Sequence, residues 1–264
     1  MNWQRICGNF CNFAPCDEFK SLYMVEKFEG IVLRTLKYSD SLMIADIYTR
    51  SHGRLSFLVP VSHSKRSRVR SVLFQPLSML SFTASYKNGK SLSRISDVQP
   101  YMMYSTIGSD VVKSSIALYL SELLTYSLRE EVVEEHLFGF LETSFTFFDH
   151  LEQGYADFHL VFMVQLLRYL GIYPNIDGHT SRSYFDLRHG CAVSDHPSHP
   201  DFLGPQDAGP FVELLRTGYD TMHLLSLNRV LRGAYLAILT DYYRLHIPDF
   251  PQLRSADVLR ELFD

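Results

Sequence analysis

The stretch EGIVLRTLKYSDSLMIADIYTRSHGRLSFLVP, residues 29–60, alternates apolar and polar side chains in short runs broken by turn formers, which predicts strands rather than helices. It holds most of a first strand over 28–36 and a second over 42–49. After the turn Ser51-His52-Gly53 comes a third, on which Leu55, Phe57 and Val59 share a face. Downstream, a long polar loop leads into a fourth strand over about 73–86, with Leu80, Phe82, Ala84 and Tyr86 against Ser81, Thr83 and Ser85. Asn88-Gly89 supplies a hairpin turn into a fifth strand, where Leu92 and Ile95 break the alternation and point to a bulge. Five strands in about 75 residues, with a long insert between the third and fourth, predict a small closed barrel of the OB type, with an SH3-like barrel as the alternative.

Beyond Tyr101 the period becomes helical, with helices expected at about 109–129, 133–153, 155–170, 210–219, 225–246 and 255–263. On the third, Phe158, Phe162, Gln165, Leu166 and Tyr169 line one side, and Gly171 stands where a C-terminal cap glycine belongs, with Pro174 beyond it. The expected fold class is therefore α+β: an N-terminal five-stranded OB-type barrel over 24–101, followed by an all-α helical bundle over 102–264. A long loop insertion rich in Gly, Pro, His and Asp interrupts the bundle at about 171–210, too long for an idle connection. Residues 1–23 lack the apolar run of an export signal and read as a disordered or mis-called extension ahead of Met24. The spacing of Cys7, Cys11 and Cys16 matches no common metal pattern.

The 264 residues are 46% hydrophobic and 20% charged, material for one large or two ordinary domains. The longest apolar run, residues 160–170, is interrupted by Gln165 and Arg168 and falls short of the ~20 residues a membrane span needs. Four cysteines make no disulfide framework, and a reducing cytoplasm is expected. The net charge of −4 hides a division: residues 24–100 carry 12 Lys/Arg against 5 Asp/Glu, and residues 101–264 carry 11 against 22. That asymmetry predicts a polyanion-binding module joined to a domain with another task.

The loop PVSHSKRSRVRSVLFQP, residues 60–76, sets Lys65, Arg66, Arg68 and Arg70 among serines, where flexible cations can follow a phosphate backbone. Arg34, Lys37, Arg50, Arg54, Lys87, Lys90 and Arg94 lie on or beside strands, as a charged groove across a barrel requires. Of the aromatics among them, only Tyr38 reads as free to stack on a base, since Phe57 and Tyr86 point inward with their apolar neighbours. A second constellation comprises His179, His189, Cys191, His196 and His199 with Asp177, Asp186, Asp195 and Asp201. These are zinc-ligating types without zinc-ligating spacing, so a metal-free loop is expected. Neither a G-x-S-x-G elbow, a P-loop, an H-E-x-x-H pair nor a dinucleotide fingerprint is present.

Three stretches resemble the bacterial recombination mediator family RecO: residues 29–60 quoted above, SKRSRVRSVLFQPLSMLSF (64–82), and LLRYLGIYPNID (166–177) followed by YFDLRHGCAV (184–193). The resemblance runs from about Met24 to the C-terminus as a pattern rather than a single motif. It implies a non-enzymatic DNA repair and recombination role without a cofactor. The implied activities are binding single- and double-stranded DNA, annealing complementary strands, and acting with RecR and the single-strand binding protein SSB to load RecA. It implies a cytoplasmic, nucleoid-associated location and a helical-domain pocket for the acidic SSB tail, for which Arg129, Arg168 and Arg232 are candidates by charge. Many members bind zinc through two C-x-x-C pairs; here Asp177-Gly178-His179-Thr180 occupies the first pair's place and only Cys191 stands near the second. Two other readings compete: a metal-dependent phosphoesterase using residues 177–201, and a protein adaptor whose barrel docks an acidic partner surface.

Overall fold

The computed structural model describes residues 24–60, 72–86, 92–128 and 133–262. Five strands, β1 (Met24–Lys37), β2 (Leu42–Thr49), β3 (Gly53–Pro60), β4 (Met79–Tyr86) and β5 (Ser93–Pro100), close a barrel in the order β1-β2-β3-β5-β4. Every pair is antiparallel except β3 with β5, where Phe57 and Leu58 lie beside Ser93 and Arg94. The expected OB-type barrel is therefore present. Phe28, Phe57 and Phe82 fill its centre, ring centroids 5.0–5.5 Å apart. β1 and β2 approach so closely at Gly30 that a Cβ there would sit 2.4 Å from Ile47 Cγ2.

β1 carries an extra residue at Leu33, between the pairs Val32–Ile47 and Arg34–Asp46. Without this bulge, alternation would aim Arg34 into the barrel; with it, Leu33 and Arg34 both leave the barrel core. Leu33 joins Ile31, Tyr48, Leu77 and Met79 in the core of the helical body. Two details differ from the sequence reading. The fourth strand starts at Met79, not near residue 73, because Pro76 has no N–H for a ladder and Leu77 takes a left-handed φ of 64°. Phe74 and Leu77 are buried from the turn instead. The bulge of β5 falls at Asp97-Val98, between the pairs Ser96–Thr83 and Gln99–Ser81, and Asp97 has a φ of 48°.

The helices are α1 (Val111–Ser127), α2 (Glu135–His150), α3 (Phe158–Tyr169), α4 (Pro205–Arg216), α5 (Arg229–His246) and α6 (Ser255–Leu262). From Phe158 to Leu167, α3 is buried at every position but Gln165, so it is a central helix rather than the one-faced helix its spacing suggested. Gln165 donates to the Thr217 carbonyl at 2.8 Å. Gly171, at φ 69°, ends α3 as expected: Ile172 N–H bonds Leu167 O and Gly171 N–H bonds Arg168 O, the Schellman arrangement. α4 begins at Pro205, five residues before the expected start, with Pro205 in the first turn and Pro210 inside the helix.

The helical body carries one addition to the expected fold, within residues 171–210. Three short strands, β6 (Tyr184–Asp186), β7 (Cys191–Val193) and β8 (Phe202–Leu203), form a sheet in the order β7-β6-β8. Phe185 anchors it, its ring edge-on to Phe211 of α4 at 5.3 Å.

The segment joining barrel to helices is held by one carboxylate. Asp149, buried at the end of α2, accepts the backbone N–H groups of Ser105, Thr106 and Ile107 at 2.7, 2.8 and 3.0 Å. Burial raises its pKa, but these hydrogen bonds outweigh burial and hold it below the ordinary value. A depressed folded-state pKa stabilises above the unfolded carboxyl value, and that contribution is lost as pH falls through the folded value. Asp149→Asn should cost about 1–3 kcal/mol at neutral pH and flatten the acid limb of a stability–pH curve, measured by urea unfolding.

Candidate nucleic-acid interface

The barrel's register brings two described cations, Lys37 and Arg94, toward one rim. Leu36, Ile44, Leu58 and Arg94 form a continuous row across β1, β2, β3 and β5, with neighbours roughly 5 Å apart. One step beyond lies the exposed Lys37 and two steps beyond lie the exposed Tyr38 and, two strands over, Pro60, after which residues 61–71 begin. Tyr38 is 61% exposed in the turn between β1 and β2, one of the two loops through which OB folds bind oligonucleotides. Among the described residues Lys37 pairs with the nearby Asp40, at 3.0 Å and with both side chains in solvent, a contact too weak to neutralise it. Arg94 is exposed on the outer face of β5. Lys65, Arg66, Arg68 and Arg70, with Lys87 and Lys90, lie outside the described residues.

Three further cations expected in this groove stand elsewhere or are engaged. Arg54, its side chain 16% exposed, bonds Asp46 Oδ2 at 2.8 Å and donates to the Thr125 and Leu128 carbonyls at the C-terminus of α1. Free helix-end carbonyls attract a guanidinium, so Arg54 fastens barrel to helix. Arg50 bonds Glu29 at 3.1 Å and Glu142 of α2 at 3.0 Å, and lies 4.3 Å over the ring of Phe138. It too clamps barrel to bundle. Arg34 bonds Asp46 at 2.6 Å, yet its half-exposed side chain borders the rim. No sequence signal marked Asp46 and Glu142 as the partners, because the pairings run between neighbouring strands whose register a bulge sets and across the contact with α2.

A second concave surface lies on the helical body. Arg229, Val230, Arg232, Gly233, Leu236 and Ala237 of α5, with His159 of α3 and Arg260 of α6, line a groove of about 410 Å³. Arg232 bonds Asp157 at 2.7 Å and is nearly buried, whereas Val230 is exposed at the lip. Burial, with the nearby charge of Arg232, lowers the His159 pKa to about 3, so the floor is neutral. Cations beside an apolar floor suit an acidic chain end with a terminal apolar side chain. Of the candidates for such a pocket, Arg232 lines this groove. Arg168 stacks instead on Tyr173, 3.7 Å from its ring centroid, and Arg129 lies outside the described residues. Arg229 and Arg260 were missed in the sequence, since only the packing of α6 on the body sets them together.

The His/Asp segment does not supply the four thiolates that two C-x-x-C pairs would offer a zinc ion. Its one thiol, Cys191, has its pKa raised by burial and by the Asp186 charge, against the thiolate a metal needs. His179 packs toward α4, its ring 3.9 Å from where a Gly209 Cβ would stand. Of the nine residues in the constellation, the structure brings Asp186, His189 and His199 together, the only such group among the described residues.

A closed OB-type barrel seated on a helical body places the chain in the OB-fold class. The family model described as recombination protein O N terminal matches residues 24–104, and that described as recombination protein O C terminal matches residues 108–255. The chain is 46% identical over 240 residues to the DNA repair protein RecO of Phocaeicola vulgatus, covering 91% of this chain and all of that protein. It is 45% identical over 242 residues to the same-named protein of Bacteroides fragilis, with 91% and 100% coverage, and 32% identical over 238 residues to that of Flavobacterium johnsoniae, with 90% and 98%. The chain belongs to the RecO family of DNA repair proteins. No helix among the described residues is long and apolar enough to cross a membrane.

Proposed function

We propose that this chain is a recombination mediator without catalytic turnover. It binds single- and double-stranded DNA at the barrel rim, anneals complementary strands, and with RecR helps load RecA onto SSB-coated DNA at the nucleoid. The observation that carries this reading is the convergence at one end of the barrel of the Lys37-Tyr38 turn, the start of the basic 61–71 segment and Arg94. Phosphates attract the cations and a base can stack on Tyr38, which adds about 1–3 kcal/mol per base without sequence preference. The α5 groove supports the SSB contact, because its cations and apolar floor match an acidic tail with an apolar end.

The test is annealing of labelled complementary oligonucleotides, bare and SSB-coated, without nucleotide. Wild-type protein should anneal both, with activity falling as salt rises. The double variant Arg229→Glu/Arg260→Glu should anneal bare strands normally and lose several-fold on coated ones. Failure on both substrates, with no DNA binding at low salt, would favour the adaptor reading.

A further inference from the structure

The geometry points to a divalent transition-metal site built by Asp186, His189 and His199. Asp186 ends β6 with its carboxylate buried. Oδ1 accepts the backbone N–H groups of Arg188 and His189 at 2.9 and 3.0 Å, which fixes the group and leaves Oδ2 facing two imidazoles. His189 Nδ1 lies 2.8 Å and His199 Nε2 3.1 Å from that oxygen, and the three candidate donor atoms fall within 4.8 Å of one another.

In a tetrahedral site with metal–ligand distances of about 2.0–2.2 Å, donor atoms stand roughly 3.3 Å apart. The two contacts to Oδ2 need to open by only a few tenths of an ångström to admit an ion, with the two imidazole nitrogens already within 4.8 Å of each other. Two imidazoles and one carboxylate suit zinc, cobalt or nickel rather than calcium or magnesium, which prefer oxygen. The hydrogen bonds to Oδ1 are the outer contacts that orient a ligating carboxylate. His189 is 72% exposed, so the fourth position opens to water.

The chain has a structural use for such an ion. Its three strands are only three, three and two residues long. His189 sits in the β6–β7 turn and His199 in the segment leading to β8, so one ion would tie both edges to the central strand. The inference does not depend on DNA binding.

Full-length protein is stripped with a chelator and titrated with cobalt(II) alone, reading visible ligand-field absorption, bound metal after buffer exchange, and melting temperature. One cobalt per chain is expected, with a rise in melting temperature. His189→Asn and His199→Asn should each weaken binding at least about tenfold, as losing one of three ligands demands, while His196→Asn in the same segment binds normally. The exposure of His189 makes its variant safe for folding, and its metal-free melting temperature should match wild type. Absence of cobalt binding, or binding of equal strength in the His189 and His199 variants, would overturn the site.

Discussion

Reversing Lys65, Arg66, Arg68 and Arg70 together to glutamate is expected to lower affinity for single-stranded DNA by about 10²-fold at moderate salt and to flatten its salt dependence. Each phosphate neutralised releases condensed counterions, so four contacts contribute roughly 3 to 4 to the log–log slope. The variant should lose that much slope as well as affinity, which separates a lost phosphate contact from a general loss of protein. Fluorescence anisotropy across a salt series measures both quantities, and an unchanged melting temperature shows that the barrel is intact. A variant that bound DNA as tightly as wild type would remove the loop from the interface and leave Lys37, Tyr38 and Arg94 to account for binding.

Asp46→Ala should produce the largest loss of stability, about 3–5 kcal/mol. The carboxylate is 3% exposed and bonds Arg34, Arg54 and Ser56 together. Its removal leaves two guanidinium groups facing each other with no counter-charge, one of them pinned at the end of α1. At roughly 2–4 °C per kcal/mol for a chain of this size, the melting temperature should fall by about 10 °C. Burial raises the Asp46 pKa, but the bonds from Ser56, Arg34 and Arg54 outweigh it and hold the group ionised below the ordinary range. Its contribution is therefore present above the unfolded carboxyl value and disappears as pH falls through the folded one. Arg34→Ala, which removes the more exposed partner, should cost much less; equal losses would mean that the pairing is not what makes Asp46 important.

These two experiments separate cations of the proposed DNA-binding rim from cations that hold the molecule together. Arg54 and Arg50 are the same residue type as Arg94, on the same barrel, yet they face Asp46, Glu29, Glu142 and the end of α1. A surface drawn from charge alone would include them, and substitutions there should lower stability by loosening the barrel on its helices.

By itself the sequence determined the five-stranded barrel, the helical body and the glycine that ends α3. Side-chain alternation, helical period and cap chemistry act between residues a few positions apart, and here the packing agrees with them. It also marked Tyr38 as exposed, since a turn between polar neighbours has no core to enter. Only the tertiary structure decided the rest. A one-residue bulge at Leu33 aims Arg34 outward, and Arg50 meets Glu142 across 92 positions. The pairing of β6 with both β7 and β8 brings His199 to Asp186 and His189, in a segment whose composition read as loop. Charge pairing and metal-type clusters depend on distances between elements, and those distances are set by packing that no local pattern encodes.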